Sequence, residues 1–202
     1  MWALVESGNV TKLYARPKKL TIGDVNYPSN IFTMWSSSEL EALGIYEVIE
    51  DNTNCKDDGY YINTNQTFTF ASGKVTATYG TATARPLDNV LYTADDETAN
   101  ANHVEGTVKQ YGVRPTKIDE VNGEAYNLLQ PNDWMVVKAK ETGGSVASDW
   151  STYRTGVRTA AQSMKTKINA VSTVDALAAL YVFNKDNPPT RPLGKFPDAP
   201  TS

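Results

Sequence analysis

Three groups of side chains in this 202-residue sequence are of types that do chemistry: its one histidine, His103, its one cysteine, Cys55, and the acidic run Asp95-Asp96-Glu97. A nucleophile-and-base arrangement would need His103 as its base. That residue sits in ADDETANANHVEG, a polar stretch that reads as a solvated loop without a buried group to orient the ring. Glycoside hydrolysis needs two carboxylates across a cleft, but Asp95-Asp96-Glu97 has nothing apolar beside it to raise a proton affinity. One histidine and one cysteine cannot form a metal cage within one chain. The run DNTNCKDDG lacks the alternating aspartates and the twelfth-position glutamate of a calcium loop, so it reads as a polar turn holding a free thiol. Gly143-Gly144 lacks the lysine and helix context of a phosphate loop and reads as a turn before a helix. The expectation is a protein with no catalytic, cofactor-binding or metal-binding residues, and not an enzyme.

The charged pair that remains is Arg154 with Arg158, four residues apart beside the helix face bearing Trp150 and Tyr153. One use is a contact to a carboxylate or aromatic group of another chain; the other is an intramolecular pairing with Asp133, Asp149 or Glu141 that locks the helical module. The whole chain has 19 Lys+Arg against 23 Asp+Glu, a formal net charge of -4, which argues against nucleic acid as a partner. With 40% hydrophobic and 21% charged residues the composition is that of a globular chain. No apolar run approaches the roughly 20 residues needed to span a bilayer. The N-terminus, MWALVESGNVTKLY, lacks the basic and apolar regions of a signal peptide. No membrane partner is expected, and synthesis is expected in a cytoplasm.

The elements that must position these groups read as α+β. Residues 1–50 form a small strand-helix-strand unit. It opens with a hairpin of Trp2–Glu6 and Val10–Tyr14 around Ser7-Gly8-Asn9. A turn and loop over 23–28 follows, then a helix capped by Ser36 with Glu39, ended by Gly44 and followed by a strand from Ile45. A module boundary is expected in 51–59. Residues 51–123 form a β-hairpin and acidic linker region, with a Thr-rich antiparallel hairpin over 60–79. Its apolar residues Phe68, Phe70, Val75 and Tyr79 must pack on the first unit or on another chain. The rest of that region, 86–123, reads as irregular. Residues 124–184 form a helical module: apolar positions at Trp150, Tyr153, Val157, Ala160, Ala161, Met164, Ile168 and Val171 follow one helix face. Gly156 weakens that helix, and a shorter helix from Ser172 or Thr173 completes an αα-hairpin. Residues 185–202 hold five prolines and read as an extended Pro-rich arm. Either its Leu193 and Phe196 anchor it on a neighbouring subunit, or it is a disordered end.

Residues 126–158, YNLLQPNDWMVVKAKETGGSVASDWSTYRTGVR, resemble the module of the phage tail assembly chaperone family, also found at the C-terminus of tail-fibre assembly proteins. The matching positions are Leu128, Leu129, Asp133, Trp134, Glu141, Trp150, Tyr153, Arg154 and Arg158, with Val157 where the family usually has leucine. The segment from Tyr27-Pro28 through Ser38-Glu39-Leu40, Gly44-Ile45-Tyr46 and Val48 resembles an N-terminal segment of phage tail and tail-fibre-associated proteins. The middle region matches neither. The resemblance implies a tailed-phage protein whose partners are other phage tail proteins, with Trp134, Trp150, Tyr153, Arg154 and Arg158 as partner contacts or module core; Leu193 and Phe196 join them on the composition of the arm alone. Thr-rich strands and a Pro-rich arm favour a non-enzymatic virion component of the tail, baseplate or fibre connection, present as a homo-oligomer in a symmetric particle. The alternative is a soluble tail or tail-fibre assembly chaperone that is not retained.

Overall fold

Two Ser-Gly pairs place both central residues at positive φ, Ser7 and Gly8 at 51° and 79° and Ser72 and Gly73 at 51° and 71°. Two-residue hairpin turns of the mirror-image type require this geometry. The computed structural model describes residues 1–201 and divides into two compact units, the first of residues 1–83 and the second from residue 84 onward. The fold class is α+β.

In the first unit the opening hairpin joins β1 (Trp2–Glu6) to β2 (Asn9–Tyr14). Its connection is two residues, not three, because Asn9 pairs with Glu6, and the register irregularity falls instead between Leu4 and Val5. The expected loop over 23–28 is largely a small hairpin, β3 (Leu20–Ile22) and β4 (Val25–Tyr27), turning at Gly23-Asp24. Two short helices follow, α1 (Ile31–Met34) and α2 (Ser37–Ala42). Ser36 and Glu39 form the reciprocal capping box anticipated from their spacing, and Gly44 takes the left-handed φ of 77°. A side chain at Gly44 would also meet the Val5 carbonyl oxygen at 2.7 Å.

β5 (Ile45–Asp51) pairs antiparallel with β1 and, over its second half, in parallel with a later strand. After β6 (Tyr61–Ile62), the Thr-rich hairpin comprises β7 (Thr67–Ala71) and β8 (Lys74–Thr78), and the parallel partner of β5 is β8. The sheet order is therefore β2-β1-β5-β8-β7. Residues 51–59 are consequently no module boundary: a parallel pair needs a crossover between its strands, and this run is its start. The outer strands β2 and β7 approach each other, which curls the sheet. Ala3, Val48, Val75 and Ala77 are buried on one side, with Val10, Tyr46, Phe68 and Phe70 packed against them. The hairpin's apolar side is thus covered within its own unit. A second cluster joins Leu4, Tyr14 and Ile45 to Leu20, Ile31, Phe32 and Leu40. β9 (Thr83–Ala84) lies at the junction of the units.

The second unit begins with β10 (Val90–Leu91), α3 (Ala94–Ala99) and β11 (Val108–Gln110), and continues into α4 (Val113–Leu129). The expectation of an irregular 86–123 fails most clearly at α4. Its buried residues are only Val113, Val121 and Ala125, too sparse to announce a helix face. The helix starts because the N–H groups of Val113 and Arg114 donate to the carbonyls of Pro86 and Leu87 at 2.9 and 2.8 Å, satisfying donors that a first turn leaves unpaired. A 3-10 turn (Gln130–Asn132) leads to α5 (Asp133–Thr142), then α6 (Ser148–Ala170) and α7 (Val174–Ala179). α6 runs unbroken through Gly156. Its main helical partner is α4, so the long-range pairing of helices is α4 with α6 and not α6 with the short α7.

The final segment folds back onto its own unit. Leu193 and Phe196 are 2% and 8% exposed. The Leu193 N–H donates to the Leu180 carbonyl at 2.9 Å, and Lys167 Nζ donates to the carbonyls of Pro192 and Leu193 at 2.7 and 3.2 Å. The anchors expected on a neighbour are buried within this chain, because a Pro-rich segment can still bury its apolar members where Lys167 and the Leu180 carbonyl supply its backbone partners.

Candidate contact surface

The groups that were candidates for chemistry hold local structure together. Asp96 caps α3: its carboxylate accepts from the Thr93 N–H and Oγ1, both at 3.0 Å, and from Lys109 Nζ at 2.6 Å. The Lys109 ammonium and the Thr93 hydrogen bonds hold its pKa down at about 2, so the group is a fixed anion and no proton donor near neutral pH. Asp95-Asp96-Glu97 is therefore a helix's first turn, where carboxylates favour the positive end of the dipole, and not part of a flexible run. The His103 ring stacks on Tyr92 at 4.2 Å between centroids and 20° between planes, so this histidine packs instead of standing free in a loop. Cys55 is half-exposed, with Sγ 3.6 Å from Asn52 Oδ1. Among the described residues no three His, Cys, Asp or Glu side chains gather as a metal site. No helix there is long and apolar enough to cross a membrane. A cleft in the first unit lined by Trp2, Leu40, Glu41, Glu47 and Lys74 holds about 200 Å³, and more open grooves of about 460 to 600 Å³ run beside β3 and β4 and along α6.

The motif residues cluster where α4 ends and α6 begins. Arg154 is 6% exposed. Its guanidinium donates to the Leu129 carbonyl at 3.0 Å, to Asn132 Oδ1, and to Asp133 Oδ1 at 2.5 Å. Asn132 is itself buried, and its Nδ2 donates to the Leu128 carbonyl at 3.1 Å. Arg154 thus closes the C-terminus of α4, whose last carbonyls have no partner within the helix. Of the three acids considered as partners, Asp133 is the one it binds; Asp149 accepts instead from the Trp150 N–H at 2.8 Å. Tyr153 is buried, and Trp150, half-buried, meets it edge-on at 5.8 Å. Arg158, one turn further, is exposed and does not join Arg154 in a paired site.

At the opposite end of the same helix pair, Arg114 does for α6 what Arg154 does for α4. Its guanidinium donates to the carbonyls of Ile168, Asn169 and Val171 at 3.4, 2.7 and 2.8 Å, and its Nε lies 2.7 Å from Asp88. Sequence reasoning missed Arg114, Asn132 and Lys167. The available signal was an arginine in the first turn of a helix, legible only once α4 itself was recognised.

The motif residue left outside is Trp134. It is 57% exposed on α5, a helix with no buried residue, and Val137, three residues on in the same helix, is 56% exposed. Lys138 Nζ lies 5.8 Å from its ring centroid. The seven sequence candidates therefore divide: Tyr153, Arg154, Leu193 and Phe196 are interior, Trp150 is intermediate, and Trp134 and Arg158 face outward. Compared with family models, curated proteins and solved structures, the chain finds no match.

Proposed function

We propose that this chain is a non-enzymatic structural component of a tailed-phage virion, a tail, baseplate or fibre-connecting protein that works through protein contacts. The observation that carries the reading is the division within the segment resembling the tail-chaperone module. Arg154 and Tyr153 are taken up in holding the helices, while Trp134 stays exposed on α5 with Lys138 over its ring. Large aromatic rings are the side chains that dominate protein contacts. The acidic, histidine-poor composition supports the same reading, as does the absorption of Asp96 and His103 into local structure.

Mass spectrometry of washed particles tests it. The expected result is this chain in stoichiometric amount with other tail proteins. Its absence from particles, with tail assembly failing when it is removed, overturns the structural role in favour of a released assembly chaperone.

A further inference from the structure

Resting on that reading, the contacts of the C-terminal arm carry a further step: we propose that residues 191–197 are exchangeable, leaving their own unit to seat on the same site of a second copy of this chain. The occupant is given by the site. Leu193 and Phe196 are buried there, and Lys167 Nζ and the Leu180 carbonyl bind the arm's backbone. The Pro197 ring covers Gly156, where an added Cβ would stand 3.3 Å from its Cγ. These receptor groups belong to α6 and the end of α7, and a second copy presents them identically.

The connector between α7 and the arm adds almost no burial to the closed form, since residues 182–190 are exposed throughout. A clasp at Asn184 holds it shut. The Asn184 N–H donates to the Thr190 carbonyl, its Oδ1 accepts from the Thr190 N–H, and its Nδ2 donates to Thr190 Oγ1, each at 2.8 Å. Opening the clasp gives up exposed hydrogen bonds and the contact of Arg191 with the Phe183 ring, while the contacts of Leu193 and Phe196 are remade on the neighbour. Nine extended residues reach up to about 30 Å. The closed and exchanged forms then differ mainly in the connector, the condition under which swapping is a low-cost route to association. In dilute solution a chain's own arm, at an effective concentration of roughly millimolar, wins. Copies held side by side shift the balance to exchange.

Two full-length variants test this by complementation. Gly156→Leu obstructs its own site and frees its arm; Leu193→Ala/Phe196→Ala keeps the site and disables the arm. Native mass spectrometry of an equimolar mixture is expected to show a heterodimer that neither variant forms alone. A mixture that stays monomeric, with both variants retaining native helical circular dichroism, overturns the proposal. Should either variant fail to fold, Asn184→Ala/Thr190→Ala decides, since it touches neither anchors nor site. Its dimer fraction is expected to rise roughly fivefold on loss of the two clasp bonds that the Asn184 side chain makes. An unchanged fraction, or a dimer that survives addition of Leu193→Ala/Phe196→Ala, overturns exchange. These measurements use purified chain, so their failure is separate from absence in particles, which bears on the structural role itself.

Discussion

Arg154 shows how a residue type suited to recognition becomes an internal fastening. A guanidinium presents a rigid fork of donors, and here the fork meets Leu129, Asn132 and Asp133 together. Arg154→Met should destabilise the second unit by about 3 kcal/mol in urea denaturation, because it leaves a buried amide oxygen and a helix-end carbonyl without a donor. Arg154→Lys should recover less than half of that; full recovery would mean that charge alone matters. Asp96 gives a pH dependence with a definite sign. Its folded pKa is depressed to about 2 from the ordinary 3.8, so its support of α3 is complete above the ordinary value and is lost as pH falls toward the folded one. The Thr93 amide resonance should titrate with a midpoint near the lower value. Lys109→Met should move that midpoint upward, and an unmoved midpoint would exclude Lys109 as the main cause.

At the scale of elements, Gly44 combines a left-handed backbone with a close approach. Gly44→Ala should lower first-unit stability by about 2 kcal/mol or more. Gly8→Ala, also at positive φ but with open space around its would-be Cβ, should lose only about 1 kcal/mol. Equal losses in thermal or urea melts would show that the Val5 carbonyl is not the obstacle. Local signals made α2, the two Ser-Gly hairpins and α6 legible, since capping boxes, turn glycines and helix periodicity each act within a few residues. The elements that stayed hidden depend on distant partners. α4 draws its start from Pro86 and Leu87 and packs through few apolar residues. The parallel pairing of Val48 with Val75 joins residues with no local reason to meet. Leu193 and Phe196 were legible as anchors but not as intramolecular ones, because composition says that an apolar residue needs cover and not whose.

For the whole molecule, the arm is a structural part of the second unit. Truncation after Asn184 should lower that unit's stability by about 3–5 kcal/mol, the loss of two buried apolar side chains. Faster hydrogen exchange at Met164 and Ile168 would report it, and unchanged protection would mean that the arm only rests on the surface. The helix pair beneath the arm has a further property. Arg114 grips the end of α6 and Arg154 the end of α4, so the two fasteners sit at opposite ends of one antiparallel pair. Sliding either helix by a single turn, about 5.4 Å, would break both sets of bonds at once. The pair is therefore locked in one register, and its two ends keep a constant spacing.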